Sequence, residues 1–106
     1  AIRTIKSEII RIIWEQDDIS VLPATYNFQV RDILFDLDAA VTINDLFDIG
    51  AIQYHLDKKD YWSVTITVNN IEPCGAVLCD FWQGDCYNIE LKEYNHESSR
   101  VCHAIR

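Results

Sequence analysis

The order of apolar and polar positions divides the chain into two regimes. Ile2, Ile5, Ile9, Ile12 and Ile13 recur at helical spacing, with Lys6, Glu8, Arg11 and Glu15 on the other side. This predicts an amphipathic helix from Ile2 to Gln16. Asp17-Asp18 break the pattern, and Ile19 to Pro23 read as a connector. Val30, Ile33, Leu34, Leu37 and Val41 then mark one face of a second helix over Ala24 to Asp38. A strand signal competes at its start, because Tyr26, Phe28 and Val30 alternate with Asn27, Gln29 and Arg31. The helical pattern is the longer one and is preferred.

Thr42-Ile43-Asn44-Asp45 reads as a capping box, with Thr42 as N-cap and an acid three residues on. It opens a third predicted helix whose stripe is Ile43, Leu46, Phe47, Gly50, Ala51 and Tyr54, ending near Asp57 to Lys59. Two lysines there suit the negative end of the helix dipole.

After Asp60 the period drops to two. Trp62, Val64, Ile66 and Val68 alternate with Ser63, Thr65, Thr67 and Asn69, which is the clearest strand in the chain. Asn69 to Gly75 reads as a turn, with Pro73 barred from a central ladder position. Ala76 to Trp82 and Cys86 to Tyr94 follow as strands, and Arg100 to Arg106 as a short fourth. The hairpin between the second and third strands has two registers. A Gly84-Asp85 loop pairs Asp80 with Ile89 and puts a carboxylate on the apolar face. A Gln83-Gly84-Asp85 loop pairs Val77 with Leu91, Cys79 with Ile89 and Phe81 with Tyr87, an all-apolar set. Burying an unpaired carboxylate is costly, so the second register is expected. It sends Leu78 and Trp82 to the opposite face, beside Glu90, Lys92 and Cys86, and in either register one of Phe81 and Trp82 leaves the core.

The expected fold class is α+β: three N-terminal helices packed on one face of a four-stranded antiparallel meander. A chain of 106 residues fits one domain, with a helical half over 1–60 and a β half over 61–106.

Charge sharpens this picture. The formal net charge of -8 lies wholly between Ile12 and Asp57, where nine acids face the single base Arg31. The rest of the chain is balanced. An ordinary solvated helical face mixes both signs, so a one-sided stretch of 46 residues points to a basic partner. The same acidity disfavours direct nucleic-acid binding, which needs clustered Lys and Arg, and disfavours anionic membranes. No apolar run reaches the roughly 20 residues of a bilayer span. The N-terminal isoleucines are interrupted by Arg3, Lys6, Glu8 and Arg11, unlike a signal peptide. A cytoplasmic protein with reduced thiols is the resulting expectation.

Candidate chemistry is thin. Cys74, Cys79, Cys86 and Cys102-His103 lack the tight Cys-x2-Cys knuckle of structural zinc, so no metal or other cofactor is expected. Their even number would permit two disulfides in a secreted interaction domain, the first alternative. A thiol enzyme pairing Cys86 or Cys102 with His96 or His103 is the second, with no motif to support it. His55 reads as a solvated surface residue. Asp45 and Asp48, three apart on a helix, are neighbours, whereas Asp36 and Asp38 diverge. No calcium loop, phosphate loop or hydrolase motif is present in the sequence.

The function expected on these grounds is not catalytic. It is a small acidic protein-binding inhibitor of the kind formed by immunity proteins, antitoxins and phage inhibitors. The basic partner would be a toxin or nucleic-acid enzyme whose phosphate-binding cleft accepts carboxylates. The expected contact residues are Asp17, Asp18, Asp32, Asp36, Asp38, Asp45, Asp48 and the exposed aromatic Trp82.

Overall fold

The computed structural model describes residues 1–69 and 71–94. The fourth strand expected over 100–106, together with Cys102, His96 and His103, lies outside the described residues. The fold is α+β, with three helices and a four-stranded antiparallel sheet. The helices are α1 (Glu8–Gln16), α2 (Asn27–Ala39) and α3 (Ile43–Phe47). The strands are β1 (Ile52–Tyr54), β2 (Tyr61–Val68), β3 (Glu72–Trp82) and β4 (Asp85–Glu93), ordered β1-β2-β3-β4.

The first helix is shorter than its isoleucines suggest. It starts only at Glu8, where the Ser7 hydroxyl accepts from the Ile10 amide and serves as N-cap. Residues 1–6 instead run extended along β4, with Ile2 bridging Cys86 and Ile5 bridging Ile89 in parallel fashion. Cys86 N–H donates to the Ala1 carbonyl and Arg3 N–H to the Cys86 carbonyl, both at 2.8 Å. Lys6 N–H donates to the Ile89 carbonyl, also at 2.8 Å. Strand pairing wins here because the outer edge of β4 would otherwise leave a row of unpaired donors and acceptors. Ile2 and Ile5 still pack against the core, so burial alone did not separate the two conformations.

α2 forms as the 3.6-residue period predicts. Val30, Ile33, Leu34 and Leu37 are buried, whereas Val41, beyond the helix end, is exposed. The rival strand reading of 25–31 fails: Tyr26 and Val30 point inward, but Phe28 points out and lies 4.9 Å beneath the Arg31 guanidinium.

α3 has the predicted capping box but ends at Phe47, ten residues before the expected stop. Gly50 and the left-handed Ala51 (φ 61) turn the chain, and Ile52 to Tyr54 pair with β2 as Ile52↔Val64 and Tyr54↔Trp62. The apolar stripe that suggested a longer helix was shared by two elements. The sheet therefore reaches four strands by recruiting residues 52–54, which the sequence pattern assigned to a helix.

β3 begins at Glu72, not after Gly75. A bulge between Ile66 and Thr67 accommodates Cys74, and Pro73 sits beside it, opposite Thr67. The β3–β4 hairpin combines two registers. Val77 pairs with Leu91 as expected, but beyond a bulge at Asn88 (φ 55) Phe81 pairs with Cys86 and Asp80 with Tyr87. The turn is a two-residue Gln83-Gly84 loop with both φ positive (50 and 82), the twist that suits a hairpin. At Gly84 an added side chain would also press on the Val41 carbonyl. The bulge corrects the expected placement of Cys86, which is fully buried on the core side, while Phe81 is buried and Trp82 exposed.

A single buried cluster joins these parts. Ile10 and Ile13 of α1, Val30, Leu34 and Leu37 of α2, Leu46 of α3 and Trp62, Val64, Ile66, Val77, Cys79, Phe81, Cys86 and Ile89 of the sheet all belong to it. One polar contact secures α2 to β2. The Gln29 amide donates to the Thr67 carbonyl and its oxygen accepts from the Thr67 N–H, each at 2.9 Å. Gln29 thereby supplies the backbone-like partner that β1 is too short to offer at this end of β2. Gln29→Ala is expected to cost about 1–3 kcal/mol, because both Thr67 groups lose a partner in a part-buried site. Urea unfolding with an unchanged m-value measures it; a loss below about 0.5 kcal/mol would mean that water replaces the amide.

Candidate functional site

Four of the predicted acids converge. One groove of about 260 Å³ is lined by Asp36, Ala39, Ala40, Asp45, Asp48 and Ile49. A second, of about 510 Å³, is lined by Gln29, Asp32, Ile33, Asp36, Ile49, Gly50, Ala51 and Thr65. Asp36 and Ile49 belong to both, so the two grooves adjoin between α2, α3 and the turn into β1. No Lys or Arg among the described residues lines either one.

The local reasons are legible. Asp32 and Asp36 are four apart on α2 and therefore stack on one side of the helix. Burial and then the Asp32 charge raise the Asp36 pKa above the ordinary aspartate value. Like charges held together at a partly desolvated place cost stability unless a cation answers them. Asp48 sits at the C-cap of α3, exposed to solvent. A carboxylate at that end opposes the helix dipole, so no local benefit accounts for it.

Asp45 has a different role. Its carboxylate accepts from the Val41 and Thr42 amides at 2.8 and 2.9 Å, and these bonds lower its pKa. It lines the groove, but its charge already serves the capping box.

The other predicted residues lie elsewhere. Asp17 is the left-handed C-cap of α1 (φ 53), and Asp18 caps the short 3-10 turn Ile19–Val21, its pKa lowered by bonds from the Ser20 hydroxyl and amide. The Asp38 carboxylate accepts from Ile2 N–H at 2.9 Å and so ties the N-terminal segment to α2. Trp82 is 54% exposed but lines neither acidic groove. Of the expected contact residues, Asp32, Asp36, Asp45 and Asp48 line the two grooves, and Asp17, Asp18, Asp38 and Trp82 do not. The chain matches no protein-family model and no curated protein sequence.

The three described thiols, Cys74, Cys79 and Cys86, are all buried. Cys86 is fully buried and its Sγ lies 3.4 Å from the Leu37 carbonyl. Cys79 is buried beside it, its thiol raised by the hydrogen bond to Cys86 and by burial. Both are free thiols. Among the described residues no group of three His, Cys, Asp or Glu side chains is placed to hold a metal. Among them also, no helix is long and apolar enough to cross a membrane.

Two features were not anticipated. His55, read as a solvated residue, is half-buried and its Nε2 lies 2.8 Å from the Ser63 Oγ. Its ring meets Tyr61 edge-on at 5.2 Å, and the Lys58 ammonium stands 4.1 Å over Tyr61. The alternation of β2 had placed Ser63 opposite the apolar residues, but the turn through 55–60 that brings His55 to it has no sequence signature. The second is an apolar groove of about 250 Å³ lined by Ile43, Phe47, Tyr54, Asp60, Trp62 and Phe81. It exists because residues 52–54 form a strand.

The opposed shifts of Asp36 and Asp45 separate the two roles by pH. Folding raises the Asp36 pKa, so its ionisation costs stability as pH rises through the folded value, and the cost is complete above it. Asp36→Asn is expected to raise the melting temperature at pH 7, with the gain vanishing below about pH 3.8. Folding lowers the Asp45 pKa, so its contribution is present above pH 3.8 and fades as pH falls through the folded value. Asp45→Ala is expected to lower the melting temperature at pH 7, with the difference narrowing in acid. Thermal melts between pH 2 and 7 check both; an Asp36→Asn gain that persists in acid would indicate improved packing instead.

Proposed function

We propose that the chain is a small acidic inhibitor that binds and neutralises a basic protein, as immunity proteins, antitoxins and phage inhibitors do. The partner class is a toxin or nucleic-acid-processing enzyme with a cationic cleft. The observation that carries the reading is the pair of adjoining grooves lined by Asp32, Asp36, Asp45 and Asp48, in which no Lys or Arg of the described residues stands. Carboxylates held apart from cations keep their charge available, and a partner's Lys and Arg side chains would favour the ionised form of Asp36, whose pKa is raised by burial and then by the Asp32 charge. In this reading the three helices cover one face of the sheet and turn their acidic sides outward. The inhibitor uses no metal or cofactor, does not touch nucleic acid or membrane itself, and acts in the cytoplasm.

The sole base of the acidic stretch supports the same view. Arg31 lies over the Phe28 ring and lines neither groove. The acids that the fold consumes internally, Asp18, Asp38 and Asp45, are the ones whose removal should act on stability first.

Co-purification from the native host, followed by titration of the recovered partner, tests the proposal. Affinity is expected to fall at least about tenfold as salt rises, since exposed charge pairs are screened beyond a Debye length. The double variant Asp36→Lys, Asp48→Lys should weaken binding by a similar factor and leave the melting temperature within about 3 °C, a surface effect of well under 1 kcal/mol. Affinity that ignores both salt and charge reversal would end the electrostatic reading.

A further inference from the structure

The acidic groove has an apolar neighbour across a single turn of structure. α3 presents Asp45 and Asp48 to the acidic side and Ile43 and Phe47 to the groove of Tyr54, Asp60, Trp62 and Phe81. A bare helix with its side chains is about 10 Å wide, so one short segment of a partner can reach both sides of it.

The apolar groove has the construction of an anchor site. Its floor is rigid: Trp62 is 3% exposed and Phe81 5%. Phe47 and Tyr54 stand edge-on or tilted against Trp62, with centroids 5.5 and 4.9 Å away. Its walls are nonetheless open to solvent, with Ile43 55% and Phe47 63% exposed. Large apolar groups left exposed around a packed aromatic floor mark a recognition surface more than a core defect.

Charge chooses the occupant. Both grooves flanking α3 carry carboxylates, Asp60 on the apolar side and Asp36 and Asp48 on the other, and no Lys or Arg among the described residues lines either. A second copy of this chain would bring the same acids and another net charge of -8 against them. A basic segment carrying one large apolar side chain answers both sides at once.

We infer that the apolar groove beside α3 receives an aromatic or aliphatic anchor from the basic partner, while that partner's adjacent Lys or Arg side chains lie across α3 in the acidic groove. The inference rests on the basic-partner reading and adds to it a bipartite recognition element. Specificity then comes from the anchor and the rate of encounter from the carboxylates.

Selection of a random peptide library displayed on phage against the immobilised full chain tests it. Enriched peptides are expected to combine Lys or Arg with a Phe, Trp, Tyr or Leu. Titration of a synthetic copy should shift the Trp62 indole N–H signal, assigned among the three tryptophans by Trp62→Phe. Phe47→Ser and Ile43→Ser alter exposed side chains, so at least one should fold; each folded variant should weaken the peptide at least about tenfold, as loss of a hot-spot contact does. Replacing the peptide's apolar residue by Ala should do the same. Basic peptides that need no anchor and ignore both variants would overturn the bipartite site and leave the basic-partner reading intact. Peptides without Lys or Arg, or binding indifferent to Asp36→Lys, Asp48→Lys, would overturn that reading and this inference with it. Two further outcomes overturn the inference: no enrichment above background, and a concentration-dependent dimer in sedimentation that Phe47→Ser abolishes.

Discussion

Backbone pairing at the two edges of the β2–β3–β4 unit is the constraint on which the rest of the fold depends. Three long strands bury one apolar side, yet their outer edges present N–H and C=O groups that must find partners. Residues 1–6 meet this demand at β4, through bonds at Cys86 and Ile89. β1 meets it over Val64 to Trp62, and the Gln29 side chain completes it at Thr67. Each of these devices draws on residues that helical periodicity had claimed. Helix formation lost at Ile2 to Ile5 and at Ile52 to Tyr54 because a short helix is marginal by itself, whereas an unpaired strand edge exacts a cost at every residue.

That constraint also shapes the surface. The N-terminal segment takes up Asp38, so one acid becomes a structural ligand of the Ile2 amide. Recruiting residues 52–54 cuts α3 to five residues and leaves a turn at 48–51. The shortened helix then stands between two grooves, one acidic and one apolar, where a longer helix would have filled both. The distribution of charge and the exposure of Phe47 are thus consequences of how the sheet closes its edges.

The acidic residues divide by what their oxygens do. Asp18, Asp38 and Asp45 accept backbone amides, and their charge is spent on caps and anchors. Asp32, Asp36 and Asp48 line grooves, and burial followed by the Asp32 charge raises the Asp36 pKa. Stability tolerates such a cluster in proteins where binding offsets it, and this is the physical content of the proposed inhibitor.

Much was legible from the sequence. The buried face of α2, the Thr42–Asp45 capping box, the alternation of β2, the Val77–Leu91 register and the exposure of Trp82 each follow from local period or chemistry. The nearness of Asp45 and Asp48, three apart, was legible in the same way, but their meeting with Asp36 came from the placing of α2 and α3 around one groove. Tertiary structure decided the remainder. Apolar residues at 2, 5, 52 and 54 suit a helical stripe or a sheet edge equally well, and only the partner strands break the tie. The bulge at Asn88 slipped the register by one residue and drew Cys86 inward, a step that no alternation of side chains records. The order of residues by itself determined the uncompensated acidic stretch and the local caps at Asp18 and Asp45, whereas the bond from Ile2 to Asp38 and the grooves at Asp32, Asp36 and Asp48 exist only because the tertiary structure brings distant segments together.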